Sequence, residues 1–326
     1  MPETIGNLIN LTKLDLHYHT HISLPESIGN LTNLRELELN IVGYYGMDWE
    51  SHILIPESIG NLKKLESFKL NGCEHKHIPL PESIGDWTNL TKLDIRNCLG
   101  LSLPSSIGNL INLTNLDITN CEYCEPLPES IGNLKNLTTL TIHKCGTILP
   151  ASIGNLQNLT SLYFRGNTPV PSTIGNLANL TSLTLIGCDI ESLNPTIGNL
   201  TKLVELRLEY NEFTLLPESI GNLKNLTTLL FVGRYDTYTT LPDSIGDLTN
   251  LKKLVIKFYK MECIPSTIGK LSNLEELELI DCDIINMPNE LENLTHLKKL
   301  TLKGMSSYEM KVIEKLCKQC EIIRKD

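Results

Sequence analysis

The chain has 326 residues, of which 41% are apolar and only 5% aromatic, and it carries a formal charge of -10 at neutral pH. That acidic balance excludes a general nucleic-acid binder, which needs a basic stripe to neutralise phosphates, and it argues against association with anionic membranes. The scarcity of aromatic residues predicts a core of leucine and isoleucine.

From its first residues the chain repeats itself. An isoleucine followed by glycine marks successive units at Ile5, Ile28, Ile59, Ile84, Ile107, Ile131, Ile153, Ile174, Ile197, Ile220, Ile245 and Ile268, and Leu291 marks a last unit without the glycine. The spacing is about 23 residues, longer only between Ile28 and Ile59, and a fixed period of that size is the signature of a solenoid. The unit from Leu127 to Cys145, LPESIGNLKNLTTLTIHKC, shows the whole phrase. Pro128 opens it, because proline has a fixed φ and suits the first position of a helical turn. Gly132 in that turn disfavours a long α-helix, so 3₁₀ or single-turn helices are expected. Leu140 and Ile142 are two apart, which puts both on one face of a short strand and Thr139, Thr141 and His143 on the other. Cys145 stands where other units have asparagine, such as Asn211, and turns the chain out of the strand; asparagine bonds the loop backbone there more strongly than a thiol does. One unit buries too little apolar surface to offset the cost of ordering its backbone, so the units must stack.

The phrase L-x-x-L-x-L-x-x-[N/C], as at Leu90, Leu93, Ile95 and Cys98 or at Leu203, Leu206, Leu208 and Asn211, resembles the leucine-rich repeat, and the likeness runs to about Gly304. Its LPxxIGNLxxL form is similar to cytoplasmic repeat proteins of the Ras-associated type, to their plant intracellular relatives and to bacterial repeat proteins. The resemblance implies an α/β solenoid: a right-handed horseshoe with a parallel concave β-sheet, and 3₁₀ or short helices and loops on the convex side. It also implies a non-catalytic protein–protein interaction scaffold that binds a protein partner through the concave face. Residues 1–304 are expected to form the solenoid of about 13 repeats; the given sequence shows no N-terminal cap over the first leucine layer, so either the chain is a fragment or an early gene start, or something else covers that face. Residues 305–326 are expected to form a C-terminal cap. There Ser306 to Glu309 fits a capping box, Met310, Ile313, Leu316 and Cys317 follow at helical spacing, and Ile322 and Ile323 suit a last strand.

The start, MPETIGNL, has neither the basic segment nor the apolar run of a signal peptide, and no stretch approaches the ~18 apolar residues of a membrane span. A cytoplasmic protein without membrane insertion is expected, and a monomer. The 10 cysteines fit reduced cytosolic thiols, since most recur at one place in the repeat: Cys73, Cys98, Cys121, Cys145, Cys188 and Cys282. Cys121 with Cys124, and Cys317 with Cys320, each form a C-x-x-C. The two pairs lie about eight repeats apart and cannot meet at one zinc ion, so no metal site is expected. His17, His19 and His21 alternate, as do His75 and His77, a spacing that a metal ion could exploit but that a plain surface cluster explains better. Ten N-x-[ST] sequons, among them Asn10, Asn89, Asn136 and Asn225, arise from the repeated NLT phrase and matter only in a secreted protein. No nucleophile triad, phosphate loop or dinucleotide fingerprint occurs, so neither catalysis nor a cofactor is expected.

Binding is expected on the side chains that alternate with the strand leucines. The early units offer charged and polar residues there. The later ones combine charged Glu205, Arg207, Glu209, Lys253, Lys257, Glu276 and Glu278 with an apolar stripe through Ile186, Leu230, Val232, Val255 and Ile280, and an apolar patch rimmed by charge is the usual interface pattern. The charged rows also suit lateral ion pairs. A second candidate is the insertion at 41–53, which carries Tyr44, Tyr45, Met47 and Trp49, because exposed Tyr and Trp are favoured anchors; a loop folded back over the early units fits it as well. A smaller insertion near Arg234, Tyr235 and Tyr238 has the same two readings, and there the structural one is favoured. Two alternatives to the scaffold stay open: a fragment of an extracellular, receptor-type ligand-recognition ectodomain, and an adaptor that brings substrates to an enzyme on another chain.

Overall fold

Each repeat in the computed structural model is a five-residue 3₁₀ turn followed by a short strand. The structure describes residues 1–18, 23–41, 54–72, 79–284, 286–304 and 321–325. The chain divides into two compact units, Met1–Thr173 and Ile174–Asp326.

In the first unit the strands are β1 (Lys13–Tyr18), β2 (Glu36–Ile41), β3 (Ser67–Asn71), β4 (Lys92–Arg96), β5 (Asn115–Thr119), β6 (Thr139–His143) and β7 (Ser161–Arg165). Each pairs in parallel with the next. In the second they are β8 (Ser182–Ile186), β9 (Glu205–Asn211), β10 (Thr228–Tyr238), β11 (Lys253–Lys260), β12 (Glu276–Ile280), β13 (Lys299–Lys303) and β14 (Glu321–Lys325), again parallel in sequence order. The register sets leucine opposite leucine: Leu116 faces Leu140, and Leu229 faces Leu254.

Proline shapes the turn from just outside it. Pro128 has φ -67 and ψ 147 and precedes the turn Glu129–Asn133. Its carbonyl accepts the Ile131 N–H at 3.0 Å, the Ile131 carbonyl accepts from Leu134, and the Leu134 carbonyl from Leu137. This chain of i→i+3 bonds is a 3₁₀ geometry. The exception is Pro195, which is the first residue of its turn; there the Asn194 side chain caps by accepting the Thr196 N–H at 3.0 Å. The turn glycine has a steric cause that its helix propensity did not reveal. A Cβ on Gly132 would lie 2.6 Å from the Ser152 carbonyl oxygen of the next repeat, and one on Gly29 would lie 2.4 Å from that of Ser58.

The leucines and isoleucines are buried as expected: Ile131, Leu134, Leu137, Leu140 and Ile142 are inaccessible. Aromatic residues hold a larger share of the core than composition suggested. Phe68 packs on Trp87 with ring centroids 4.9 Å apart, and the Trp87 indole donates to the Ile59 carbonyl at 2.9 Å. In the second unit Phe213, Phe231 and Tyr259 stack at 5.9 and 4.4 Å. Tyr259 occupies a seat that is asparagine or cysteine elsewhere, and a Cβ on Gly233 would meet its ring at 2.7 Å. Residues 42–53 of the insertion, residues His19, His21, His75, His77 and Cys73, and the expected helix in 305–320 with its C-x-x-C fall outside the described residues. No helix among the described residues is long and apolar enough to cross a membrane.

Candidate functional site

Parallel register turns the alternating side chains into three rows along each sheet. In the second unit the first row is Ser182, Glu205, Thr228, Lys253, Glu276 and Lys299. The middle row is Thr184, Arg207, Leu230, Val255, Glu278 and Thr301, and the third is Ile186, Glu209, Val232, Lys257, Ile280 and Lys303. All twelve strand residues predicted as candidates therefore lie together on β8–β12, on the face opposite the leucine core.

Their exposure differs from the expectation. Strands ~4.8 Å apart leave little room between side chains of one row, and the rows cover one another. Val255 is 2% exposed, Val232 and Ile280 are 7% and Ile186 is 9%; Leu230 alone of the stripe is half-buried. What this face offers is charge around Leu230, with the rest of the apolar stripe beneath it.

That charge is organised in pairs. Lys253 reaches Glu276 at 2.8 Å and Glu278 at 3.8 Å, Lys257 reaches Glu278 at 3.0 Å, and Arg207 bonds Glu205 at 2.7 Å. The lateral pairing that the sequence allowed is thus present. Burial alone would raise the Glu278 carboxyl; the hydrogen bond and charge of Lys257, with Lys253 behind it, outweigh burial and hold it below the usual range. The hydrogen bond to Glu276 raises Lys253.

The first unit has a more polar face. Lys13 pairs with Glu36 at 2.8 Å, Lys69 with Glu38 at 2.6 Å, and Arg96 with Asp94 at 2.7 Å and Asp117 at 3.3 Å. His143 meets Tyr163 edge-on at 5.6 Å, and burial, then the charges of Arg165 and Lys144, hold its imidazole low.

Arg234 has a structural role. Its guanidinium bonds the Tyr210 carbonyl at 3.0 Å, Glu212 at 2.7 Å and Asp189 at 3.1 Å, tying the end of β10 to the two preceding repeats. Tyr238 beside it is 67% exposed, under the Lys260 ammonium at 5.5 Å. The cysteine seats behave as read from the sequence: Cys145 donates to the carbonyls of Ile118 and His143 at 3.2 and 3.3 Å. Asn211 does more, accepting the Cys188 N–H at 2.7 Å and donating to Leu185 and Glu209. Among the described residues no group of three or more His, Cys, Asp or Glu is arranged to hold a metal ion.

A second use of the sequon residues was not anticipated. The side-chain amides of Asn89, Asn112, Asn136, Asn158 and Asn225 each donate to a carbonyl of the preceding repeat at 2.7–2.8 Å. Thr91, Thr114 and Thr138 donate likewise through their hydroxyls at 3.0 Å. On the first unit, Asn89, Asn112, Asn136 and Asn158 with these threonines line a shallow groove of about 770 Å³. The regular spacing of N-L-T was the signal for them.

Comparison with known proteins agrees with this geometry. A family model described as a leucine-rich repeat region matches residues 105–213 and 192–324. No curated protein sequence matches the chain. Among solved structures, a leucine-rich repeat protein of Leptospira interrogans is 30% identical over 99% of this chain and 92% of its own, with a TM-score of 0.67. The internalin InlF of Listeria monocytogenes is 22% identical over 99% of this chain and 88% of its own, with a TM-score of 0.72. The plant peptide hormone receptor RGFR1, solved with RGF2, is 23% identical over all of this chain and 61% of its own, with a TM-score of 0.57. The likeness to the last two shows the fold alone.

Proposed function

The chain belongs to the leucine-rich repeat family, and we propose that it is a non-catalytic scaffold that binds a protein partner through the exposed strand face of β8–β12. The observation that carries this reading is the contrast between the two faces of those strands. The core face repeats leucine in every unit. The outer face changes from row to row and sets Leu230 between Arg207 and Val255, with Glu205, Glu209, Lys253 and Lys257 on the adjoining rows. A half-buried aliphatic side chain ringed by charges of both signs suits a partner with complementary charges and an apolar contact at its centre. The cysteines that recur at one seat of the repeat favour a reducing, cytoplasmic setting.

The test is comparative capture from a lysate of the protein's own cells. The face is altered by Leu230→Asp with Arg207→Ser, and Lys224→Ser, near the 3₁₀ turn Glu218–Asn222, is the control. Val255 is left intact, because an aspartate at a site 2% exposed would unfold the repeat. Proteins retained by the wild type and the control but lost from the double variant support the reading. Equal capture by all three, with unchanged circular dichroism, moves the site elsewhere, first to Tyr44, Tyr45 and Trp49.

A further inference from the structure

Cys124 is the one cysteine of its neighbourhood that the repeat does not require. Cys98, Cys121 and Cys145 fill the same buried seat in successive repeats, each under a turn. Cys124 stands three residues beyond its seat neighbour and is half-buried. Its thiol donates to the Cys121 carbonyl at 2.7 Å, and its backbone N–H donates to the Cys145 carbonyl at 3.1 Å. The Cys121 thiol itself donates to the Thr119 carbonyl at 3.4 Å and to the Ile95 carbonyl at 3.7 Å, and the Cys145 side chain lies close by. The connecting loop is Glu122 and Tyr123, and Tyr123 holds a left-handed φ of 57 with its ring 80% exposed. A bulky residue in that region is uncommon and costs energy.

We propose that Cys121 and Cys124 are a reversible dithiol–disulfide pair, oxidised by low-molecular-weight disulfides, with Cys145 remaining a thiol. Access sets the order of events. Cys121 is fully buried, so an incoming disulfide R–S–S–R meets Cys124 first. The Cys124 thiolate attacks one sulfur, forming Cys124–S–S–R and expelling RS⁻, which takes up the proton that Cys124 lost. The Cys121 thiolate then attacks the Cys124 sulfur, expelling a second RS⁻ that takes up the Cys121 proton. Two cysteine thiols are oxidised, and R–S–S–R is reduced to two RSH.

Cys121 shares one turn with Cys124, whose thiol rests on the Cys121 carbonyl, and this favours it over Cys145 as the second thiol. The Cys98 backbone N–H points at the Cys121 sulfur at 3.4 Å. Closing the bond removes the Cys124 thiol from the Cys121 carbonyl and locks the loop that presents Tyr123, so the surface there would differ between the two redox states.

The test uses the whole folded protein incubated with oxidised glutathione, quenched with an alkylating agent and mapped by fragment-ion mass spectrometry. Exposed Cys263 reports that the reagent is active by forming a mixed disulfide. The expected product is a Cys121–Cys124 disulfide that dithiothreitol reverses, that persists in Cys145→Ser, and that is lost in Cys124→Ser. Cys124 recovered only alkylated, only as a glutathione adduct, or bonded to Cys145 while Cys263 is modified would overturn the assignment. Circular dichroism of the two serine variants separates loss of the bond from loss of the fold.

Discussion

A single seat residue shows how much one side chain contributes to this fold. The same turn is closed by a thiol at Cys282 and by an amide at Asn211. Cys282 donates weakly to Ile256 and Ile280, both at 3.3 Å. Asn211 makes three bonds at 2.7–3.1 Å while fully buried. Removing the amide strands a buried N–H and two carbonyls, each costing about 1–3 kcal/mol when unpaired. Asn211→Ala should therefore lower unfolding stability by roughly 3 kcal/mol or more, and Cys282→Ala by about 1 kcal/mol. Urea denaturation measures both; equal losses would show that the seat is only a matter of volume. Much at this scale was legible. The N/C position, the inward leucines and the turn proline follow from spacing alone. The glycine's actual constraint did not, because the atom it must avoid belongs to the next repeat.

At the scale of elements, pairing between strands decides what the sequence left open. Lys257 and Glu278 stand on neighbouring strands β11 and β12, and their side chains are 27% and 13% exposed. A carboxyl held low in the fold contributes stability above its unfolded pKa and loses it as pH falls through the folded value. Lys257→Ala leaves Glu278 partly buried with only Lys253 at 3.8 Å. The variant should lose about 1–2 kcal/mol at pH 7, and the deficit should shrink as pH falls below the ordinary range of glutamate. Chemical denaturation across pH reads this directly, and a deficit constant down to pH 3 would show that Glu278 is not the group involved. The alternation of each strand gave away which residues face outward, yet not how far they protrude. Val255 and Ile280 read as surface because each strand was read alone; their burial comes from Glu278, Lys257 and their row neighbours. Arg234 was ambiguous for a related reason, since its partner Asp189 lies two repeats earlier and no local pattern links them. The Phe213, Phe231 and Tyr259 stack is likewise assembled from three repeats, each contributing one ring that looked incidental.

Across the molecule, repetition makes the architecture readable and the function local. Identical leucine layers stabilise stacking between neighbours, and the recognition we propose uses the positions that vary. Those positions in β8–β12 come together on one face, as their spacing predicted, but as a paired charge lattice around Leu230 instead of an open apolar stripe. The asparagine and threonine ladders show the converse: residues that read as modification signals act in stacking. The partner-binding role proposed for the β8–β12 face is tested most directly by lysine-labelling footprints of the protein alone and with its captured partner bound. The account predicts that Lys253 and Lys257 become several-fold less reactive in the complex, while Lys202 and Lys224, beside the 3₁₀ turns, keep their reactivity. Protection of Lys202 or Lys224 with Lys253 and Lys257 unchanged would contradict it.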